Sequence, residues 1–121
     1  MASVAQRVTT AIIRPYCGAD HDAVVQLYLE GMISYSFEGE DEASKVLWAR
    51  VRQASVDSDL ADIEGVYFAR GGHFWVALAR TEGEDEQIVG MVGLQRHSDD
   101  VGELRRMSVK AGFRAWSYLQ D

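Results

Sequence analysis

Between residues 20 and 32 apolar side chains return at three- and four-residue intervals, at Val24, Val25, Tyr28, Leu29 and Met32, which lines one side of a helix. Asp20 stands where a carboxylate can cap the free N–H groups of its first turn, and Gly31 and Gly39 lie around its end. Just upstream, Thr10–Arg14 (TAIIR) is a β-branched run stopped by Pro15, which predicts a short strand. A second helix is expected from Asp41 or Glu42 to Ser55, with Ala43, Leu47, Val51 and Ala54 forming one apolar stripe opposite charged residues. Asp57, Ser58 and Asp59 supply another cap, and Leu60, Ile63 and Tyr67 suit a short third helix that ends before Gly71 and Gly72. From His73 the period changes. HFWVALAR is dense in aromatic and β-branched residues, TEGEDE is a polar turn and QIVGMVGLQR is a second strand, so residues 73–96 read as a β-hairpin. After HSDD, GELRRMSV predicts a third strand beside the hairpin.

One strand, two or three helices and three consecutive strands make an α+β arrangement around a mainly antiparallel sheet. At 121 residues the chain has the size of one domain, with residues 1–8 read as a loose arm. Its 47% hydrophobic and 26% charged content is that of a folded globular protein. A net charge of −7 argues against a nucleic-acid partner, although Arg105, Arg106, Lys110 and Arg114 form a local basic stretch able to attract a small polyanion. No apolar run approaches the ~18 residues of a membrane span, and the N-terminus lacks a continuous apolar signal core. The single cysteine, Cys17, read as a small, partly buried residue, permits no internal disulfide. A cytoplasmic protein without a membrane contact is the expectation.

Chemical signatures are sparse outside the C-terminal region. His21, His73 and His97 are separated and share no zinc spacing, no GxSxG elbow is present, and the acidic turn lacks the ligand spacing of a calcium loop. ELRRMSVKAGFR, by contrast, supplies a strand running into a turn with basic residues, a way to present amides to a pyrophosphate. The competing reading is an amphipathic strand with an ordinary polar tail.

Three stretches together resemble the GNAT superfamily of N-acetyltransferases: IIRPYCGADHDAVVQLYLEGM, HFWVALARTEGEDEQIVGMVGL and ELRRMSVKAGFR. The pairing of YLEGM with SDLADIEGVYFARGGHFWVA is similar to the camello-like branch. The resemblance covers about residues 10–114, and 9–114 is taken as the N-terminal part of such a domain. It implies a first strand and two helices before a central antiparallel sheet, and transfer of an acetyl group from acetyl-CoA to an amine of a small molecule or a protein. The strand over Glu103–Val109 would then splay from its neighbour and offer main-chain groups of Met107, Ser108 and Val109 to the pantetheine and the acetyl carbonyl. Glu103 occupies the place of a glutamate that serves as base toward the amine; the competing reading is a solvent-facing residue paired with Arg105 or Arg80.

The resemblance also exposes departures. The family's coenzyme loop reads Arg-Gly-x-Gly-x-Gly/Ala, and the matching positions here are Arg114, Ala115, Trp116, Ser117, Tyr118 and Leu119. Arg114 keeps the pattern but the three small residues do not survive, being replaced by Ala115, Ser117 and Leu119, and Leu119 with Trp116 and Tyr118 nearby obstructs a tight phosphate wrap. Residues 115–121 are therefore read as a divergent tail and the domain as truncated after its fourth strand, without the later tyrosine that protonates the departing thiolate. This leaves an alternative of another class, a non-catalytic module that self-associates or binds a partner through the open sheet edge at Glu103–Val109. The acceptor is not specified; Tyr35, Phe37 and Trp48 read first as packing residues and second as the wall of an acceptor pocket.

Overall fold

A computed structural model describes residues 8–33 and 41–113. Strands β1 (Val8–Pro15), β2 (His73–Thr81), β3 (Gln87–Arg96) and β4 (Gly102–Val109) form one sheet in that order, every neighbouring pair antiparallel. The α+β expectation holds, as does the hairpin over 73–96. β1 extends past the expected Thr10–Arg14 at both ends: Val8 pairs with Thr81, and Pro15 closes the strand opposite Trp75, a terminal place where a missing N–H is tolerated.

Helix α1 (His21–Ile33) lays Val24, Leu27 and Tyr28 into the core, all under 10% exposed, so the inward face includes a leucine that the spacing alone did not select. Its N-terminus differs from expectation. Asp20 belongs to a 3-10 turn (Gly18–Asp20), and its carboxylate turns back to accept from the Cys17 amide at 3.0 Å instead of capping α1. Cys17 itself is exposed, not partly buried. α2 (Glu42–Asp57) begins as read, Asp41 Oδ1 accepting from the Ser44 amide at 2.8 Å. Its expected apolar stripe, however, does not enter the core: Leu47 is 61% exposed and Val51 40%, and no residue of α2 is buried. The expected third helix is a 3-10 turn (Asp59–Ala61) followed by a π-helical turn (Glu64–Phe68), yet Leu60, Ile63 and Tyr67 are buried as their spacing required.

These segments cover one face of the sheet, where Phe74, Val76, Leu78 and Met91 meet Val24, Leu27, Tyr28, Leu60, Ile63 and Tyr67. Gly93 is needed for that packing, since a Cβ there would stand 2.8 Å from the Tyr67 ring and 2.9 Å from Phe74. On the opposite face Ala79 and Val89 are buried by Phe113. Beside them runs an apolar concavity of ≈440 Å³ bordered by Ile13, Ala77, Val89, Gly90, Val109 and Phe113, with Ile13 74% exposed.

Candidate functional site

β4 is not a regular strand. Met91 pairs with Ser108 and Gly93 with Arg105, so Arg106 and Met107 together stand opposite the single residue Val92. This two-against-one register is a β-bulge, and it coincides with a left-handed backbone at Arg106, φ 58°. Beyond it Met107 is 65% exposed while Ser108 and Val109 are half-buried, Ser108 lying beneath Gly31 of α1. The ladder then resumes: Val109 pairs with Gly90, and the Lys110 amide donates to Val89 O at 2.7 Å before the chain turns through Gly112 at φ 95°.

The bulge turns the Arg106 side chain toward the buried face. Its Nε donates to Asp59 Oδ2 at 3.0 Å and its Nη2 to Oδ1 at 2.6 Å, a bidentate pair across 47 residues of sequence. Tyr67 Oη donates to the same Oδ2 at 2.6 Å, Ser58 Oγ to Oδ1 at 3.0 Å, and the guanidinium lies over the Tyr28 ring at 5.2 Å. Burial pushes the Asp59 carboxyl up, but Arg106, Tyr67 and Ser58 outweigh it and hold the group at about 2, fully ionised near neutrality. Burial, then the facing carboxylate, raises the Tyr67 phenol well above its usual range, so that it stays a donor.

A second carboxylate hub stands at the other edge. Arg14 donates to both Asp20 oxygens, at 2.7 and 2.8 Å, and this guanidinium contact, against the opposing push of burial and with help from the Cys17 amide and thiol, holds Asp20 at about 2. Among the described residues no group of three or more His, Cys, Asp or Glu side chains is placed to hold a metal ion.

The sequence-predicted residues divide. Glu103, Met107, Ser108 and Val109 share β4. Glu103 faces solvent, and its partner is His97, Nε2 to Oε1 at 2.9 Å, rather than Arg105, which donates to Gln95. Arg114, Ala115 and Ser117 lie outside the described residues, as do Tyr35 and Phe37. Among the described residues of the basic stretch, Arg105 holds Gln95, Arg106 holds Asp59 and Lys110 holds Gln87. Sequence reasoning missed the Asp59–Tyr67–Arg106 network, having taken Asp59 for a cap and Tyr67 for an apolar contact. No local pattern carried it, since Asp59 and Arg106 stand 47 residues apart.

Placed against other proteins, the chain is similar over 62 residues, at 44% identity, to N-acetylaspartate synthetase of Danio rerio, of the camello-like GNAT family; the match spans 50% of this chain and 20% of that protein. Two solved structures share the fold at 24% identity. One is a GNAT-family acetyltransferase of Staphylococcus aureus (TM-score 0.62, 87% of this chain and 56% of that one), the other an acetyltransferase of Streptococcus agalactiae (TM-score 0.56, 88% and 56%). No family model matches the chain. The chain thus spans about half the length of these structures and a fifth of that relative.

Proposed function

Taking the GNAT acetyltransferase fold as the premise, we propose that this chain carries the coenzyme-facing strand of an N-acetyltransferase that moves acetyl from acetyl-CoA to an amine. The observation that supports the reading is the bulge in β4. It breaks the ladder beside Val92 and leaves Met107 at the outer edge of the sheet, with no further strand beside it among the described residues. Main-chain groups of Met107, Ser108 and Val109 on such an edge suit the pantetheine amides, which present the same donor and acceptor pattern as a peptide. The pyrophosphate is assigned to Arg114, with Ala115 and Ser117 following it in sequence, by the family pattern of the coenzyme loop; Arg106 and Lys110 are engaged elsewhere.

In the reaction the amine nitrogen bonds to the thioester carbonyl carbon, the carbon–sulfur bond breaks and the coenzyme leaves as thiolate. The proton lost by the amine passes to Glu103. That residue lies four positions before Met107, roughly 13 Å along a strand, so the transfer runs through water. An amine acceptor and a cytoplasmic location belong to the same reading. Self-association through the β4 edge is tested by sedimentation at micromolar concentration, where a monomer refutes it.

The deciding experiment is a calorimetric titration of the chain with acetyl-CoA. Micromolar binding weakened by Arg114→Ala supports the reading. Folded protein that ignores millimolar coenzyme overturns it.

A further inference from the structure

A non-glycine residue at φ 58° occupies a sparsely populated backbone region, which persists only where the surroundings fix it. The side chain of Arg106 is firmly held. A planar guanidinium held by two parallel hydrogen bonds has a set direction as well as a set distance, which a single ammonium contact does not provide. The acceptor is equally constrained. Asp59 is 7% exposed and receives the hydroxyls of Ser58 and Tyr67. The Tyr67 ring is fully buried edge-on to Phe74 of β2, with centroids 5.2 Å apart and planes at 68°. A chain of contacts therefore runs from the middle of the sheet, through Tyr67 and Asp59, to the residue at which β4 departs from regular pairing.

We propose that the Asp59–Arg106 pair is a positioning device that holds the β4 bulge, and through it sets where the Met107 and Ser108 main chain stands. The coenzyme consequence of this proposal rests on the reading of β4 as the acetyl-CoA strand; the hold on the bulge does not. Neither residue touches the reacting atoms. Their contribution is to prevent β4 from slipping into regular pairing with β3, which would move every later residue of the strand by one position and exchange the faces of Met107 and Ser108. A general gain in stability would not single out the bulge, and this separates the two roles experimentally.

The test compares the wild-type chain with Arg106→Lys and Asp59→Asn, which keep size and polarity while removing the two-point contact. NMR hydrogen exchange is read at Lys110, whose amide donates to Val89 O, with Val76 of the central β2 as reference; the NOE contacts between Met91 and Ser108 report the register. The expected result is exchange at least ten-fold faster at Lys110, loss of the Met91–Ser108 contacts and unchanged protection at Val76. Acetyl-CoA affinity should fall at least ten-fold in the same variants. Equal acceleration at Val76 and Lys110, or an unmoved Met91–Ser108 register, overturns the proposal and reduces the pair to a stabilising contact. If Asp59→Asn proves unfolded, Arg106→Lys decides by the same measurements. Wild-type chain that does not bind acetyl-CoA refutes the coenzyme reading instead, while the exchange pattern still decides whether the pair holds the bulge.

Discussion

Asp59→Asn should uncouple part of the protein's stability from acid. The Asp59 carboxyl lies at about 2 in the fold, against 3.8 as the ordinary value. A depressed carboxyl contributes stability that is present above the unfolded value and is lost as pH falls toward the folded one. At about 1.4 kcal/mol per pKa unit, the shift is worth about 2 kcal/mol near neutrality. By linkage about 1 kcal/mol of it is gone at pH ~3 and most of it at pH ~2. Asparagine cannot titrate, so the variant lacks this contribution at every pH, and it additionally loses charge-assisted contacts with Arg106, an effect independent of acid. The assay is urea unfolding of both proteins from about pH 7 down to pH 3. The gap between them should be widest near neutrality and should narrow by about 1 kcal/mol at the acid end. A gap that stays constant across this range would mean that Asp59 is not held ionised by Arg106 and Tyr67, and the energetic account of the network would fail.

Asp20→Asn should behave in the same sense but more weakly, by about 1 kcal/mol, because Arg14 is 35% exposed and solvent screens the pair; a loss exceeding that of Asp59→Asn in the same unfolding series would contradict the ranking. Gly93→Ala should cost about 1–3 kcal/mol in chemical denaturation, since its Cβ must displace the Tyr67 and Phe74 rings, and an unchanged midpoint would show that the rings have room to yield. Leu47→Gln should lie within about ±0.5 kcal/mol of wild type in thermal unfolding, as the side chain is 61% exposed; a large loss would place the α2 stripe against something in solution.

Where burial and periodicity coincide, the sequence was a sufficient guide. Aromatic and β-branched density in HFWVALAR and QIVGMVGLQR on either side of a polar turn gave the hairpin, because strand preference and turn chemistry are local properties. Leu60, Ile63 and Tyr67 were read as one short helix and are all buried although their segment is two separate turns, since apolar spacing follows which side chains point inward more firmly than it fixes the backbone type. The α2 stripe shows the reverse. Apolar spacing gives a helix a face but does not say whether anything covers it, and Leu47 and Val51 remain exposed. The bulge lay further out of reach, because it depends on Arg106 finding an acid 47 residues earlier, a long-range pairing that leaves no local period. Glu103 was chosen by resemblance, yet its partner His97 comes from the β3–β4 turn, and the reading of strands alone assigned that turn only polarity.

The geometry of β4 separates two kinds of residue, and this gives Glu103 a sharp test. Inward, Arg106 is tied to the core. Outward, Glu103 is exposed and bound to the likewise exposed His97, so the fold gains little from it. Glu103→Gln should therefore leave the unfolding midpoint essentially unchanged, within about 0.5 kcal/mol, while lowering kcat/KM for amine acetylation by about 10²-fold or more if the carboxylate is the base. His97→Ala serves as the control: it removes the same surface pair but keeps the carboxylate, and should retain most of the turnover. Equal losses in both variants would assign the effect to the pair and not to proton transfer. Full activity in Glu103→Gln would mean that the amine reaches the thioester already deprotonated, leaving the main chain of β4 as the sole contribution of this strand to the reaction.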